Sequence, residues 1–271
     1  MKPFVRLLAF FTFTAAVAAA DLHPIVEVQS GYLFGAVADG NWIKADEAAK
    51  SMTDVMTYRV YGMNLPLGEA KGDKPKNEDA PCEETLSVSL SQKPENGAIA
   101  VAGTWNALPR RVQVVDSTQK VYLDGVRDFL KTKGIENPKV RIENIVRVDL
   151  DGDGEEEVLV SATNYFEKDD KKVPMRSPAG SYSMVLLRRV VAGKVETQLV
   201  EGEFYPKAYV SSDQSSFNAP NAYRVIAVLD LAGDGKMEIV IGSRYYEGEA
   251  TTIYRYAPQK CEPLLSVGCG A

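Results

Sequence analysis

Six acidic side chains stand within nine residues in the stretch Asp149-Leu150-Asp151-Gly152-Asp153-Gly154-Glu155-Glu156-Glu157. Counting Asp149 as position 1, carboxylates fall at positions 1, 3 and 5, and Gly154 stands at position 6, where the chain must turn sharply. Glu155 at position 7 and Glu157 at position 9 complete the candidate ligand set. A tight loop with an acid at every other residue converges several oxygens on one point. That is the donor set of a hard cation such as Ca²⁺, which takes six to eight oxygens in a flexible shell. The same residue types suit an ordinary turn, because Asp and Gly tolerate unusual backbone angles. Converging carboxylates repel one another, however, and this favours a bound cation over a bare turn.

An EF-hand needs a bidentate Glu at position 12 and a helix on either side. Here position 12 is Val160, and the flanks Ile145-Val146-Arg147-Val148 and Val158-Leu159-Val160 are β-branched strand signals. The loop is therefore expected to join two strands. In this it resembles the FG-GAP/VCBS-type repeat, the strand–loop–strand calcium motif of integrin α-chain-like β-propellers, with Glu157 in place of the final Asp. The unit recurs. Ile226 to Ile241 aligns without a gap on Ile145 to Val160 at an offset of 81 residues, matching Asp149, Gly152, Asp153, Gly154 and Glu157 with Asp230, Gly233, Asp234, Gly235 and Glu238. Lys236 holds position 7 of this second candidate set, while Ala232 offers no oxygen at position 3, so this copy is degenerate. The resemblance covers these two segments only. It implies calcium as the cofactor and propeller-type, blade-like antiparallel β units.

The elements around the loops lead to a mainly β chain with one amphipathic helix. A small N-terminal β region is expected over 21–115, and the helix plus two repeat-like β units (136–200 and 222–271) over 116–271. In the first region Asp39-Gly40 marks a hairpin turn. Ala45 to Met52 suggests a short helix, with strands at Tyr58–Tyr61, Leu86–Leu90, Ala98–Gly103 and Val112–Val115, the last closing the region. Gly68 to Glu84 reads as a polar loop. Trp42 and Trp105 each follow a Gly-rich turn and are expected at the core edge rather than as a ligand platform. The helix spans Asp116 to Gly134, with Asp116 and Gln119 spaced as a capping box and Val121, Tyr122, Val126, Phe129 and Leu130 as its apolar stripe. It is expected to pack at the sheet edge before the first acidic loop. Hairpins follow at Ser181–Val200, across Val191 to Gly193, and at Thr251–Val267. Tyr165-Phe166-Glu167 and Tyr245-Tyr246-Glu247 close the paired strands, and both polar loops, Lys168–Gly180 and Ser211–Asn221, lie between strands.

Composition narrows the chemistry. His23 is the only histidine, which removes Ser-His-Asp and Cys-His catalysis and ordinary zinc enzymes. No nucleophile elbow, Walker loop or dinucleotide fingerprint is present. Residues 1–20 have the form of a secretory signal: Lys2 and Arg6, an apolar run from Leu7 to Val17, then Ala18-Ala19-Ala20. No later stretch approaches the roughly 18 apolar residues of a membrane span. Without Lys2 and Arg6, 29 basic residues face 37 acidic ones, a formal charge of −8, which disfavours nucleic acid as a partner. The expectation is an extracytoplasmic calcium-binding module that recognises a protein or glycan. The alternative is a polysaccharide-active hydrolase with structural calcium, since two carboxylates suffice for glycoside hydrolysis.

Three cysteines in an exported chain allow one disulfide. Leu264 to Val267 reads as a strand, so Cys261 and Cys269 should lie near its opposite ends at about 3.3 Å per residue. That exceeds the Cα separation of roughly 4.4–6.8 Å a disulfide tolerates. Cys82 with Cys269 is the expected pair, with Cys261 free.

Overall fold

The computed structural model describes residues 21–165, 176–208 and 220–270. The leader-like segment, Phe166-Glu167 and most of the two polar loops Lys168–Gly180 and Ser211–Asn221 lie outside the described residues. The chain is mainly β, built from several antiparallel sheets, none closed into a barrel.

The N-terminal part runs β1 (Leu22–Glu27), β2 (Leu33–Ala38), β3 (Asn41–Lys44), α1 (Ala45–Ser51), β4 (Met56–Tyr61), β5 (Pro66–Gly72), β6 (Lys76–Asn77), β7 (Leu86–Ser87) and β8 (Ile99–Val101). β6 and β7 form a two-stranded ribbon, and the others form a six-stranded sheet in the order β3-β2-β1-β8-β4-β5. Then come β9 (Gln113–Val115), α2 (Lys120–Thr132), β10 (Ile142–Val148), β11 (Glu157–Thr163), β12 (Ser181–Val191) and β13 (Lys194–Tyr205). Their five-stranded sheet has the order β13-β12-β11-β10-β9. Last are β14 (Ala222–Leu229), β15 (Glu238–Tyr245), β16 (Gly248–Arg255) and β17 (Glu262–Gly270), a four-stranded meander in chain order.

The four-stranded sheet is the middle layer. One of its faces, with Leu229, Val240, Ile253 and Leu265, packs on Ile25, Val37, Ile99 and Val101 of the six-stranded sheet. The other, with Val228, Ile239 and Ile241, packs on Val146, Val148, Leu159 and Val185 of the five-stranded sheet. Burial on both faces is why β15 opens as the unbroken apolar run Ile239-Val240-Ile241 rather than alternating. The outer faces are closed by helices: Ala48 and Met52 of the α1 region cover the six-stranded sheet, and Val126 and Leu130 of α2 cover the five-stranded sheet. With a helix at each end, the stack of three sheets is finite.

Several local expectations match. Asp39 and Gly40 take φ 49° and 74° in the β2–β3 turn, as do Ala192 and Gly193 (50° and 76°) between β12 and β13. The end of α2 is a Schellman turn, in which Gly134 N–H donates to Lys131 O and Ile135 N–H to Leu130 O.

Others need correction. The polar stretch from Gly68 contains β5 and β6. Ala70 and Gly72 face inward there, and a Cβ on Gly72 would lie 2.6 Å from the Tyr58 ring, so close sheet packing selects small residues that carry no strand signal. β7 is only two residues long, with Leu90 making an isolated bridge to Gly72. Val112–Val115 does not close the N-terminal region: β9 pairs with β10, Val114 opposite Val146. Asp116 does not cap α2, because its carboxylate accepts from the backbone and hydroxyl of Thr118, and the helix starts at Lys120 without a side-chain cap. Val121 is 59% exposed. It lies five residues before Val126, roughly 140° around the helix. The helix covers a sheet face, not the expected edge.

Cys82 and Cys269 form a disulfide with a Cα separation of 5.6 Å, and Cys261 is a buried free thiol. Together with the Thr85 hydroxyl, which donates to Gly268 O at 2.9 Å, the bridge ties β17 to the segment before β7. Among the described residues no helix is long and apolar enough to cross a membrane.

Candidate metal centre

The first acidic loop begins where the β10–β11 ladder ends, at the pair Val148 and Glu157. Leu150, fully buried in the core between the middle and five-stranded sheets, pins the loop between its acids. The carboxylates fold back onto the loop's own amides. Asp149 Oδ1 accepts from Gly152 N–H at 2.6 Å and its Oδ2 from Gly154 N–H at 3.1 Å. Asp151 Oδ1 accepts from Asp153 N–H at 3.2 Å, and Asp153 Oδ1 from Glu155 N–H at 2.8 Å. Gly154 sits at φ 93°, a conformation that favours glycine.

One carboxylate oxygen from each of Asp149, Asp151 and Asp153 lies within 4.8 Å of the others. Asp151 and Asp153 are exposed and Asp149 half-buried. Among the described residues no cation pairs with any of the three. Arg110 is nearby, but it donates to main-chain oxygens, through Nε to Asp149 O at 2.6 Å and through its terminal nitrogen to Leu150 O at 3.0 Å. It fixes the loop without neutralising the acids. The donor set is all hard oxygen with negative charge left over, and it lacks the nitrogen or sulfur ligands a zinc site uses. It fits calcium, with water and main-chain oxygens left to fill the shell.

Glu155 and Glu157 stand outside this trio. Glu155 is exposed. Glu157 is 4% exposed and lies under the loop, where Oε2 accepts from Leu150 N–H at 3.0 Å and Oε1 from the Tyr256 hydroxyl at 3.3 Å. Burial, and then the charges of Asp151 and Asp153, push its carboxyl above the usual range. It shares the field of the trio while holding the loop from below. Glu156, the intervening acid, pairs with Arg147 at 2.7 Å and accepts from Gln113 of β9.

The second loop repeats the frame. Asp230 accepts from the N–H groups of Gly233, Asp234 and Gly235 at 2.6, 3.1 and 3.0 Å, and Asp234 accepts from Lys236 N–H at 2.9 Å. Glu238 Oε2 accepts from Leu231 N–H at 2.9 Å, as Glu157 does from Leu150. With Ala232 at position 3, no second carboxylate trio forms among the described residues. Lys236 supplies an amide to the turn, which is the one role the structure gives it. Asp230 and Glu238 are each 4% exposed. Burial pushes both carboxyls up, Glu238 to about 8, despite the amide bonds that favour their charged forms.

The segment from Trp105 to Arg110, in which only Trp105 stands out by residue type, fastens both loops. Trp105 Nε1 donates to Asp230 O at 2.7 Å, and Asp230 N–H donates to Ala107 O at 2.9 Å. The Trp105 ring lies over Gly233, where a Cβ would approach it to 2.8 Å. Arg110, three residues beyond Ala107, holds the first loop, and Met237 N–H donates to Leu150 O at 2.9 Å, joining loop to loop. Trp42 packs at the edge of the core shared by the six- and four-stranded sheets, as does Trp105. The identical Leu150 and Leu231 at position 2 were a signal in the repeat alignment that these loops are anchored inward. Nothing in the sequence marks Arg110 or Tyr256.

Comparison with protein-family models, with curated proteins and with solved structures returned no match.

Proposed function

We propose that this chain is an exported, calcium-stabilised protein of FG-GAP/VCBS-type β repeats that serves as a non-enzymatic binding module. The observation that carries the reading is the convergence of Asp149, Asp151 and Asp153 with no cation paired to them. Two strand–loop–strand units of the same design, tied to each other by Met237 N–H and Leu150 O, support the repeat assignment. The disulfide is in keeping with an oxidising compartment. Calcium at the first loop would neutralise the trio and lock the end of β10 to β11, and the second, degenerate loop would rely on its amides and Trp105. The partner is a protein or a glycan.

Metal analysis of protein purified without chelator tests the cofactor, and the expected result is about one calcium per chain. N-terminal mass analysis of secreted material should find Asp21 first. Absence of metal together with indifference to chelator would reduce the loop to a turn, and turnover of a polysaccharide would overturn the non-enzymatic part of the reading.

A further inference from the structure

The strand ends opposite the two acidic loops enclose a cleft. Its narrower part is a cavity of about 340 Å³ between the turn after β1, the start of β14 and the β15–β16 hairpin, a size typical of small-ligand sites. Past Glu27 and Arg224, which line both parts, it widens into a region of about 580 Å³ beside the β4–β5 turn and β9.

Charges of both signs line the narrow part: Arg224 and Arg244 with Glu27, Glu143 and Glu249. Arg224 lies opposite Gly242 and Arg244 opposite Ala222, which makes the two arginines diagonal neighbours about 7–8 Å apart at the backbone. Both are exposed, both line the cavity, and among the described residues neither guanidinium makes a hydrogen bond or ion pair. Two unpartnered guanidiniums on one sheet face are donors of the kind a carboxylate takes. Glu249 stands beside Arg244 as its direct cross-strand partner on β16, and Glu27 lines the cavity from the end of β1. Glu27 uses only Oε2, which accepts from the amide and hydroxyl of Ser30, so Oε1 remains open. The Tyr32 phenol, which also lines the cavity, is pushed up by burial and then by Glu78, Glu249 and Glu27.

The wide part has a different chemistry. Asn64 and Asn96 offer amides, and Leu65 and Val114 offer exposed aliphatic surface, while the Asn144 amide is taken by Val225 O at 2.9 Å. Among the described residues no aromatic ring lines this part, and Tyr32 and Tyr223 are confined to the narrow one, so the cleft lacks the continuous ring faces on which a sugar chain commonly stacks. Amides beside aliphatic surface match a peptide backbone with apolar side chains.

We propose that this cleft binds a short zwitterionic peptide, its carboxylate on Arg224 and Arg244 and its ammonium on the open oxygen of Glu27. The proposal rests on the reading of the chain as a binding module and names the ligand class of that module.

The test is calorimetric titration of the full mature protein, with calcium present, using three pools. These are tri- and tetrapeptides with free ends, the same peptides acetylated and amidated, and a mixture of neutral and uronate oligosaccharides. Free peptides should bind, and affinity should fall about tenfold or more on amidation and in Arg224→Gln or Arg244→Gln. Both arginines are exposed, and thermal melts of the variants should confirm an intact fold. Equal binding of capped peptides, indifference to both substitutions, or no peptide binding overturns the proposal. Saturable oligosaccharide binding without peptide binding overturns the ligand class and leaves the module reading standing. Hydrolysis of a peptide bound through the arginines keeps the site and overturns the non-enzymatic reading.

Discussion

Replacing Asp153 by asparagine removes one charge from the acidic trio but keeps the side-chain oxygen that accepts from Glu155 N–H at 2.8 Å. The perturbation is therefore electrostatic. With ligand oxygens within 4.8 Å of one another, each pair of charges repels by about 1 kcal/mol even at the dielectric constant of water. Asp153 contributes to two such pairs. In chelator at low salt, Asp153→Asn should thus relieve up to about 2 kcal/mol and melt no lower than wild type, with screening reducing the gain. Calcium reverses the order. A cation bound to the folded state alone, at a hundredfold excess over Kd, contributes about 2.7 kcal/mol. For a chain of this size that corresponds to about 5–10 °C in melting temperature. Differential scanning calorimetry with calcium and with EGTA reads both effects. The wild type should gain the full shift and Asp153→Asn little of it. A wild-type melting temperature unmoved by calcium, or a variant that gains as much as wild type, would refute the assignment of the trio as the metal centre.

Asp234→Asn should reduce the calcium-dependent shift by much less than Asp153→Asn, because Ala232 already leaves the second loop one carboxylate short; the same melts decide it, and an equal loss would place the metal at the second loop. Glu238, pushed up to about 8 chiefly by burial, binds a proton in the folded state between its ordinary value and about 8, where the unfolded chain has lost it. Metal-free stability should therefore be highest at the acid end and fall by a few kcal/mol as pH rises from about 4.5 to about 8. Urea unfolding across that range should show Glu238→Gln flattening the decline, and an unchanged slope would refute the cause. Cys82→Ser opens a bridge spanning 187 residues and should cost up to about 5 kcal/mol in the chain-entropy model, read from the urea midpoint. Thiol titration of the intact protein should find Cys261 unreactive until denaturant is added, since burial both shields its thiol and pushes it up.

Local chemistry was enough for those parts of the molecule whose conformation depends on near neighbours. Asp39-Gly40 and Ala192-Gly193 make their hairpins, and Gly134 ends α2, because glycine relieves a steric cost wherever it occurs. The acidic trio belongs to the same class: Asp149, Asp151 and Asp153 accept from amides two to five residues ahead, so the hydrogen bonds that orient the three carboxylates lie within the loop itself. The strand-length argument that pairs Cys82 with Cys269 also works from the sequence, since a β17 running from Glu262 to Gly270 holds Cys261 and Cys269 apart.

Contacts between residues far apart in the chain were decided only by tertiary packing. β9 joins the five-stranded sheet because Val114 meets Val146, and no local preference of Gln113-Val114-Val115 names that partner. β5 was hidden because its inward positions are Ala70 and Gly72, the latter held to glycine by the Tyr58 ring pressed against it. Arg110 and Trp105 hold the two acidic loops through carbonyl oxygens, which every residue possesses and which leave no trace in side-chain pattern. Glu157 has the residue type of a ligand, yet burial and the Leu150 amide place it beneath the loop. The cleft is the extreme case. Glu27 and Arg224 stand almost 200 residues apart in sequence, and they line one cleft only because the four-stranded sheet is packed between the other two.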